Sequence, residues 1–130
     1  MEKIKCIIRK KLVSLTPEER VRQCIISYLI NQRNYPQNFI AVEGQIRVGK
    51  LNKRFDILVY DRKMQPWLLV ECKSPNVRID QSVLDQISRY NISINAPFFL
   101  LSNGIDSLCL KLNTKEKSFI IIDSIPQYPQ

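Results

Sequence analysis

The central feature of this sequence is a pair of short apolar runs, residues 55–61 and 67–73, joined by five largely polar residues. Runs of β-branched and aromatic residues on either side of a short polar connection predict a β-hairpin. Three charged residues interrupt the pattern: Asp56 enters the first run, and Glu71 and Lys73 close the second. A strand with only a structural role favours apolar residues at these positions. The hairpin is therefore expected to gather two carboxylates and one ammonium group in a small patch.

The register of this hairpin determines which of the charged residues meet. If residues 62–66 form the loop, Asp56 lies opposite Cys72. A register shifted by one residue instead places Asp56 opposite Glu71 or Lys73. Because successive side chains alternate between the two faces of a strand, Glu71 and Lys73 share one face and Cys72 takes the other.

This set of groups suits the metal-assisted attack of water on a phosphodiester. Mg²⁺ and Mn²⁺ favour oxygen ligands, commonly one or two carboxylates together with water and phosphate oxygens. The cation lowers the pKa of its bound water, and a neighbouring lysine orients that water or stabilises charge on the phosphate. We therefore expect Asp56 and Glu71 to be metal ligands and Lys73 to position the nucleophilic water.

The spacing of these residues resembles that of a known superfamily. Asp56, followed after fourteen residues by Glu71-Cys72-Lys73, resembles the D…(D/E)-x-K signature of the PD-(D/E)XK nucleases. The Glu-x-Lys ends an apolar strand, and Ser-Pro follows at residues 74–75, as in that superfamily.

Further motifs point to one branch of the superfamily. Gln86 and Tyr90 form the Gln-x-x-x-Tyr that this branch carries on the next helix. The branch includes the N-terminal nuclease domain of type I restriction enzyme R subunits, to which residues 16–23 and 102–104 are also similar. The resemblance covers roughly residues 16–112, in a stand-alone, single-domain form.

The resemblance implies an α/β fold with a restriction-endonuclease-like core, in which a mixed central sheet is flanked by helices. It implies a Mg²⁺-dependent or Mn²⁺-dependent deoxyribonuclease, expected to be an endonuclease. Gln86 and Tyr90 would then support the active site or the DNA near it. In the superfamily a glutamate on the first helix often completes the metal site, and Glu18 and Glu19 are the candidates here.

The first helix is predicted from its start signals. Thr16 is a good N-cap, Pro17 suits the first helical position, and Glu19 completes a capping box. We expect this helix to reach about residue 33, with an inward stripe of Val21, Cys24, Ile25, Tyr28 and Leu29. Glu18 lies at the N-terminal end of that stripe and is the favoured site residue, although a helix N-terminus also favours any carboxylate. For Glu19 the capping box is the favoured interpretation.

The remaining elements follow from alternation and turn residues. We expect an N-terminal arm or edge strand over residues 1–15, and a frayed tail over 126–130. Predicted strands cover 40–48, 97–102 (buried on both faces), 107–112 and 118–122, and a second helix covers 80–91. A turn over 49–54 carries Lys50, Lys53 and Arg54, which either contact phosphates or are simply solvated.

Composition limits the class of protein. A chain of 130 residues is long enough for a single domain with one core. Its net charge of +8 favours an anionic partner such as DNA. Four cysteines without Cys-x-x-Cys spacing, and no histidine, predict reduced thiols in a cytoplasmic protein with no zinc site. No apolar run approaches the roughly twenty residues of a membrane span, and no signal peptide is recognised.

Two functional classes remain open from the sequence. The first is the nuclease described above. The second is a catalytically silent module that uses the same fold to bind nucleic acid or a protein partner. The 130 residues contain no Walker-type Gly-x-x-x-x-Gly-Lys-Ser/Thr motif, so ATP-driven cleavage by this chain alone is excluded. A separate motor or specificity subunit is a candidate partner.

Overall fold

A computed structural model describes residues 2–113 and 115–130, apart from the side chains of residues 87–93. The elements are β1 (Lys3–Cys6), β2 (Lys11–Ser14), α1 (Pro17–Asn31), β3 (Ile40–Val48), β4 (Leu51–Tyr60), β5 (Pro66–Cys72), α2 (Gln81–Ile94), β6 (Phe98–Ser102), β7 (Ser107–Asn113) and β8 (Ser118–Ile122). A short 3-10 turn, Gln37–Phe39, precedes β3.

Strands β3 to β8 form one six-stranded sheet in chain order. Neighbouring strands are antiparallel except β5 and β6, which are parallel and are joined through α2. Strands β1 and β2 pair only with each other, in a separate antiparallel hairpin. The predicted mixed α/β class is confirmed.

The two helices cover opposite faces of the sheet. Helix α1 packs in a layer that includes Ile57 and Val70, whereas α2 packs in a layer that includes Leu58 and Leu69. This alternation is what a strand buried on both faces requires. Strand β6 is buried along almost its whole length, as its apolar run predicts.

Helix α1 begins where the sequence predicts. Thr16 is the N-cap, and its Oγ1 accepts a hydrogen bond of 3.1 Å from the Glu19 backbone N–H. The helix ends at Asn31, two residues before the predicted end, and the chain then turns through Asn34 at φ 57°. The turn lets the Tyr35 N–H bond to the Leu29 carbonyl at 2.9 Å.

The inward face of α1 differs from the predicted stripe. Ile26 and Leu29 are fully buried, whereas Tyr28 is 41% exposed and Cys24 is also exposed. Val21, Ile25 and Leu29 of the predicted stripe are buried as expected. The buried face also includes Glu19, Arg22 and Ile26, so α1 is rotated toward its charged side.

Two further boundaries differ from prediction. The turn expected over 49–54 consists of Gly49 and Lys50 alone, with Gly49 at φ 62°, so β4 already begins at Leu51. Helix α2 extends to Ile94 and begins after Asp80, whose Oδ1 accepts a 3.0 Å hydrogen bond from the Val83 N–H.

The two end segments of the described chain both contact the rest of the protein. Residues 3–14 form the β1–β2 hairpin, so they are not an edge strand of the main sheet. The prediction of a frayed tail is wrong, because Tyr128 is buried and its hydroxyl donates a 2.7 Å hydrogen bond to the Tyr60 carbonyl. The Pro126 carbonyl likewise accepts a 2.7 Å bond from the Tyr35 hydroxyl. None of the described helices is long and apolar enough to cross a membrane.

Candidate functional site

The register of β4 and β5 brings the two predicted carboxylates together. Ile57 pairs with Val70, and the next position along the ladder sets Asp56 opposite Glu71. This is the register shifted by one residue from the simple five-residue loop. A bulge between Val59 and Tyr60 takes up the extra residue.

The loop after β4 is held by a single aspartate. Asp61 Oδ1 accepts hydrogen bonds from the backbone N–H groups of Lys63, at 2.9 Å, and Gln65, at 3.0 Å. Met64 adopts φ 60° in this loop. Such side-chain capping of a turn stabilises the loop geometry that sets the register of the strands.

Asp56 lies at a kink shared by two strands. The β3–β4 ladder is continuous except at Glu43 and Asp56, and Glu43 adopts φ 45°. Phe55 packs in the α2 layer whereas Ile57 packs in the α1 layer, although residues two apart in a strand normally share a face. The Asp56 side chain is therefore turned to the end of β5, where its Oδ2 accepts a 2.8 Å hydrogen bond from the Cys72 N–H.

Glu71 is half-buried, and its surroundings disfavour the charged carboxylate. Burial, followed by the negative charge of Asp56, raises the pKa of the Glu71 carboxyl to about 7, while the charge of Lys73 opposes this rise. Two neighbouring carboxylates repel each other, which favours retention of a proton on one of them unless a cation binds between them.

Lys73 follows β5 directly and continues its pairing with β6. Its backbone N–H donates a 2.8 Å hydrogen bond to the Ser102 carbonyl. Because Cys72 is buried in the α1 layer, Glu71 and Lys73 alternate to the other face, which α2 covers. Asp56, Glu71 and Lys73 thus come together at one end of the β4–β5 hairpin.

A cavity of about 330 Å³ opens at this point. Its lining residues come from β3, β4 and β5, and are Glu43, Gly44, Arg54, Phe55, Asp56 and Glu71. Three acidic groups and one basic group therefore face a space that a phosphate group can enter.

A buried arginine that the sequence analysis did not single out connects α1 to this site. Arg22 is only 6% exposed, and its Nη2 lies 3.2 Å from Asp56 Oδ1. Its Nη1 lies 2.7 Å from Glu19 Oε1 and 3.1 Å from Glu43 Oε1. Burial disfavours the charge of Arg22, but the charges of Glu19, Asp56 and Glu43 outweigh it and raise the Arg22 pKa.

The N-terminal hairpin joins the same network through Arg9, in the turn between β1 and β2. Arg9 Nη2 lies 2.8 Å from Glu19 Oε1, and Nη1 lies 2.7 Å from Glu43 Oε2. The Arg9 Nε also donates to Cys6 Sγ at 3.1 Å. Two guanidinium groups and three carboxylates therefore form one network beside the cavity.

Glu19, rather than Glu18, is the first-helix carboxylate that this network holds. Burial opposes the ionisation of Glu19, but a hydrogen bond from Gln23 and the charges of Arg22 and Arg9 outweigh it and lower its pKa. Its carboxylate is committed to these partners, so it does not complete the predicted capping box. Glu18 is exposed and lines a neighbouring cavity of about 350 Å³, away from Asp56 and Glu71. Because α1 is rotated toward its charged side, Glu19 is buried in this network and Glu18 is exposed.

Of the two site residues predicted on α2, only Gln86 has a described side chain. The side chain of Gln86 is exposed in the second turn of α2, on the helix that covers the Glu71 face of the sheet. The side chain of Tyr90 lies outside the described residues. Their supporting role stays a prediction.

The side chains of this site supply only part of the oxygen ligands that a hard divalent cation requires. Asp56 and Glu71 supply carboxylate oxygens, and each oxygen of Asp56 keeps a second lone pair beyond its protein hydrogen bond. Across the residues that the structure describes, no group of three or more His, Cys, Asp or Glu residues is arranged to hold a metal ion. Two carboxylates with water and phosphate oxygens would be the ligand set.

Arg22, Glu43 and Arg9 were missed because only three-dimensional packing joins them in the network that reaches Asp56. One sequence signal for Arg22 does exist. It lies three residues after Glu19 and four before Ile26, so two charged residues share a helix face with a core residue.

Residues 17–126 match the family described as the type I restriction enzyme R protein N terminus. A comparison with curated proteins finds no match to the chain.

Proposed function

Because the chain belongs to the family of the type I restriction enzyme R protein N terminus, we propose that it is a divalent-metal-dependent nuclease that hydrolyses phosphodiester bonds in DNA. The observation that carries this proposal is the β4–β5 register, which sets Asp56 opposite Glu71 with Lys73 two residues further on. Family membership supports a nuclease-related role, and the chain's positive net charge of +8 favours a polyanionic substrate.

Each residue of the site has a proposed part. Asp56 and Glu71 would hold Mg²⁺ or Mn²⁺, which when bound supplies Lewis-acid activation of water and charge neutralisation at the phosphate. Lys73 orients the attacking water or donates to a non-bridging phosphate oxygen. Arg22 and the Cys72 N–H fix the orientation of the Asp56 carboxylate, so that it is positioned before substrate arrives.

A second candidate function is a binding module without catalysis. It is favoured by the ion pair between Arg22 and Asp56, because a cation must share Asp56 with a guanidinium group. In either case the type I family suggests that a separate motor or specificity subunit recruits the chain.

The test incubates purified protein with linear, circular and single-stranded DNA, with Mg²⁺, with Mn²⁺ and with chelator. Products from circular DNA in the presence of cation would establish endonuclease action. Cleavage undiminished by chelator would refute metal dependence. An inactive protein that still binds DNA would establish the binding module. Lys73→Ala protein is the control for a contaminating nuclease.

A further inference from the structure

The hairpin of β3 and β4 continues beyond the rest of the sheet. Its strands pair from Gly44 with Phe55 to Val48 with Leu51, whereas β5 pairs with β4 only from Ile57 onward. Residues 44–55 therefore form a two-stranded extension, which we call the basic ribbon. It begins immediately beyond Glu43 and Asp56, at the edge of the candidate site.

The charge of the basic ribbon has one sign. Its twelve residues include Arg47, Lys50, Lys53 and Arg54 and no aspartate or glutamate. Four positive charges on one hairpin attract a polyanion more strongly than scattered surface lysines do.

The two faces of the basic ribbon differ. Ile46 and Val48 are partly buried in the α2 layer, which anchors the ribbon to the protein. The other face presents exposed polar side chains, in the register pairs Gln45 with Arg54 and Arg47 with Asn52. These residues are all hydrogen-bond donors, as contacts to phosphate oxygens require.

The polar face is continuous with the candidate site. Arg54 lines the same cavity as Asp56 and Glu71. A strand that contacts Arg54 and then Arg47 would thus lead directly from the carboxylates toward the tip of the ribbon at Lys50.

We propose that the polar face of the basic ribbon binds the phosphate backbone of duplex DNA on one side of the bond held at Asp56 and Glu71. This inference rests on the proposed function and names the substrate surface. Five residue pairs extend about 17 Å along the strands, which is about five base pairs of duplex. The substrate is therefore polymeric and continues beyond the reacting bond.

The chemistry of the ribbon favours a duplex over a single strand. Proteins that bind single strands stack the bases on exposed aromatic side chains. Phe55 is the only aromatic residue of the basic ribbon, and it is buried. A two-stranded ribbon also fits the major groove of B-form DNA, whereas that of duplex RNA is too deep and narrow for side-chain contacts.

The test measures binding without cleavage. Fluorescence anisotropy of a duplex of about twenty base pairs is followed in chelator across a NaCl series, since each phosphate contact adds about 0.9 to the salt slope. The double variant Arg47→Gln, Lys50→Gln is compared with Lys111→Gln, Lys115→Gln, which removes the same charge from exposed positions near the opposite edge of the sheet.

The ribbon variant should bind more weakly, with a slope of log Kd against log salt that is shallower by about two. The control variant should keep the slope of the parent. Lys50→Gln alone, at the exposed turn, should reduce the slope by about one. This single variant tests the proposal even if the double variant fails to fold.

Equal slopes for the ribbon and control variants would overturn the proposal. Tighter binding of single strands or duplex RNA, with the same dependence on the ribbon, would overturn the assignment to duplex DNA. Because binding in chelator does not require catalysis, the ribbon assignment survives if the parent fails to cleave. Conversely, if the parent protein cleaves DNA while the ribbon and control variants bind DNA with equal slopes, only the ribbon assignment is refuted.

Discussion

Single residues set the electrostatics of this site, and Arg22 has the largest part. It is buried at the junction of α1, β3 and β4, and its guanidinium group pairs with Glu19, Glu43 and Asp56. Its Nε has no hydrogen-bond partner among the described residues, so the ion pairs must offset that cost. Removal of Arg22 would leave Asp56 and the buried Glu19 without one of their charged partners.

We therefore predict that Arg22→Leu lowers the free energy of unfolding by about 3–5 kcal/mol, because breaking one side of a buried ion network leaves uncompensated charge. Arg20→Leu is the control in the same helix, since Arg20 is exposed, and it should change stability by about 0.5 kcal/mol or less. Urea denaturation of both variants gives the comparison. Similar losses in the two proteins would show that the network contributes little.

The catalytic assignment makes a separate prediction at this scale. Lys73→Ala and Asp56→Asn should each lower the cleavage rate by about 100-fold or more, because each group acts at the reacting phosphate. Both should stay folded, since Asn at position 56 can still accept the hydrogen bond of the Cys72 N–H. Rates on DNA and melting temperatures are measured beside the parent.

Gln86→Ala is the graded comparison, and it should give an intermediate loss because its proposed role is support rather than ligation. Parent-like cutting by the Lys73 and Asp56 variants would remove the metal-site assignment. If those variants instead unfold, the hairpin is structural and the binding module gains support.

At the scale of elements, the kink in β3 and β4 positions Asp56. Gly44 follows Glu43 and pairs with Phe55, whose ring lies across it. A Cβ atom at Gly44 would lie 2.5 Å from Phe55 Cζ, closer than van der Waals contact allows. The absence of a side chain at Gly44 thus allows the ring to be buried beside the kink.

We predict that Gly44→Ala destabilises the protein by about 1–3 kcal/mol, as overpacking does in other cores. In a Phe55→Leu background the same substitution should cost less, because the atom it meets is gone. Thermal denaturation of the parent, the two single variants and the double variant completes the cycle. Strictly additive effects would show that the ring and the glycine do not interact.

At the scale of the whole molecule, the absence of histidine makes the pH dependence of stability easier to assign. Histidine is the residue that usually titrates between pH 5 and 8, and this chain has none. Burial and the charge of Asp56 raise the pKa of Glu71 to about 7. Between the ordinary glutamate pKa and this value, the folded protein binds more protons than the unfolded chain.

Stability in chelator should therefore fall as pH rises from about 4.5 to about 7, because stability declines wherever the native state binds the extra proton. Glu71→Gln should flatten this decline, since glutamine does not ionise. Melting temperatures at closely spaced pH values measure both proteins. An equal decline in the variant would assign the effect to another group.

Several elements depend only on local chemistry and were predictable from the sequence. The Thr16 cap, the strand 118–122 and the apolar run of β6 follow from capping, alternation and continuous hydrophobicity, which act over a few residues. The pairing of Asp56 with the end of the next strand was also foreseeable, because hairpin geometry limits the register to a few choices.

Other details depend on contacts between residues far apart in sequence and were not predictable. The rotation of α1 buries Glu19 and exposes Glu18, and it depends on Arg9 from the N-terminal hairpin and Glu43 from β3. The tail is ordered because Tyr128 reaches Tyr60, sixty-eight residues away in sequence. Local propensity carries no information about such partners, since their contribution appears only when the chain has folded.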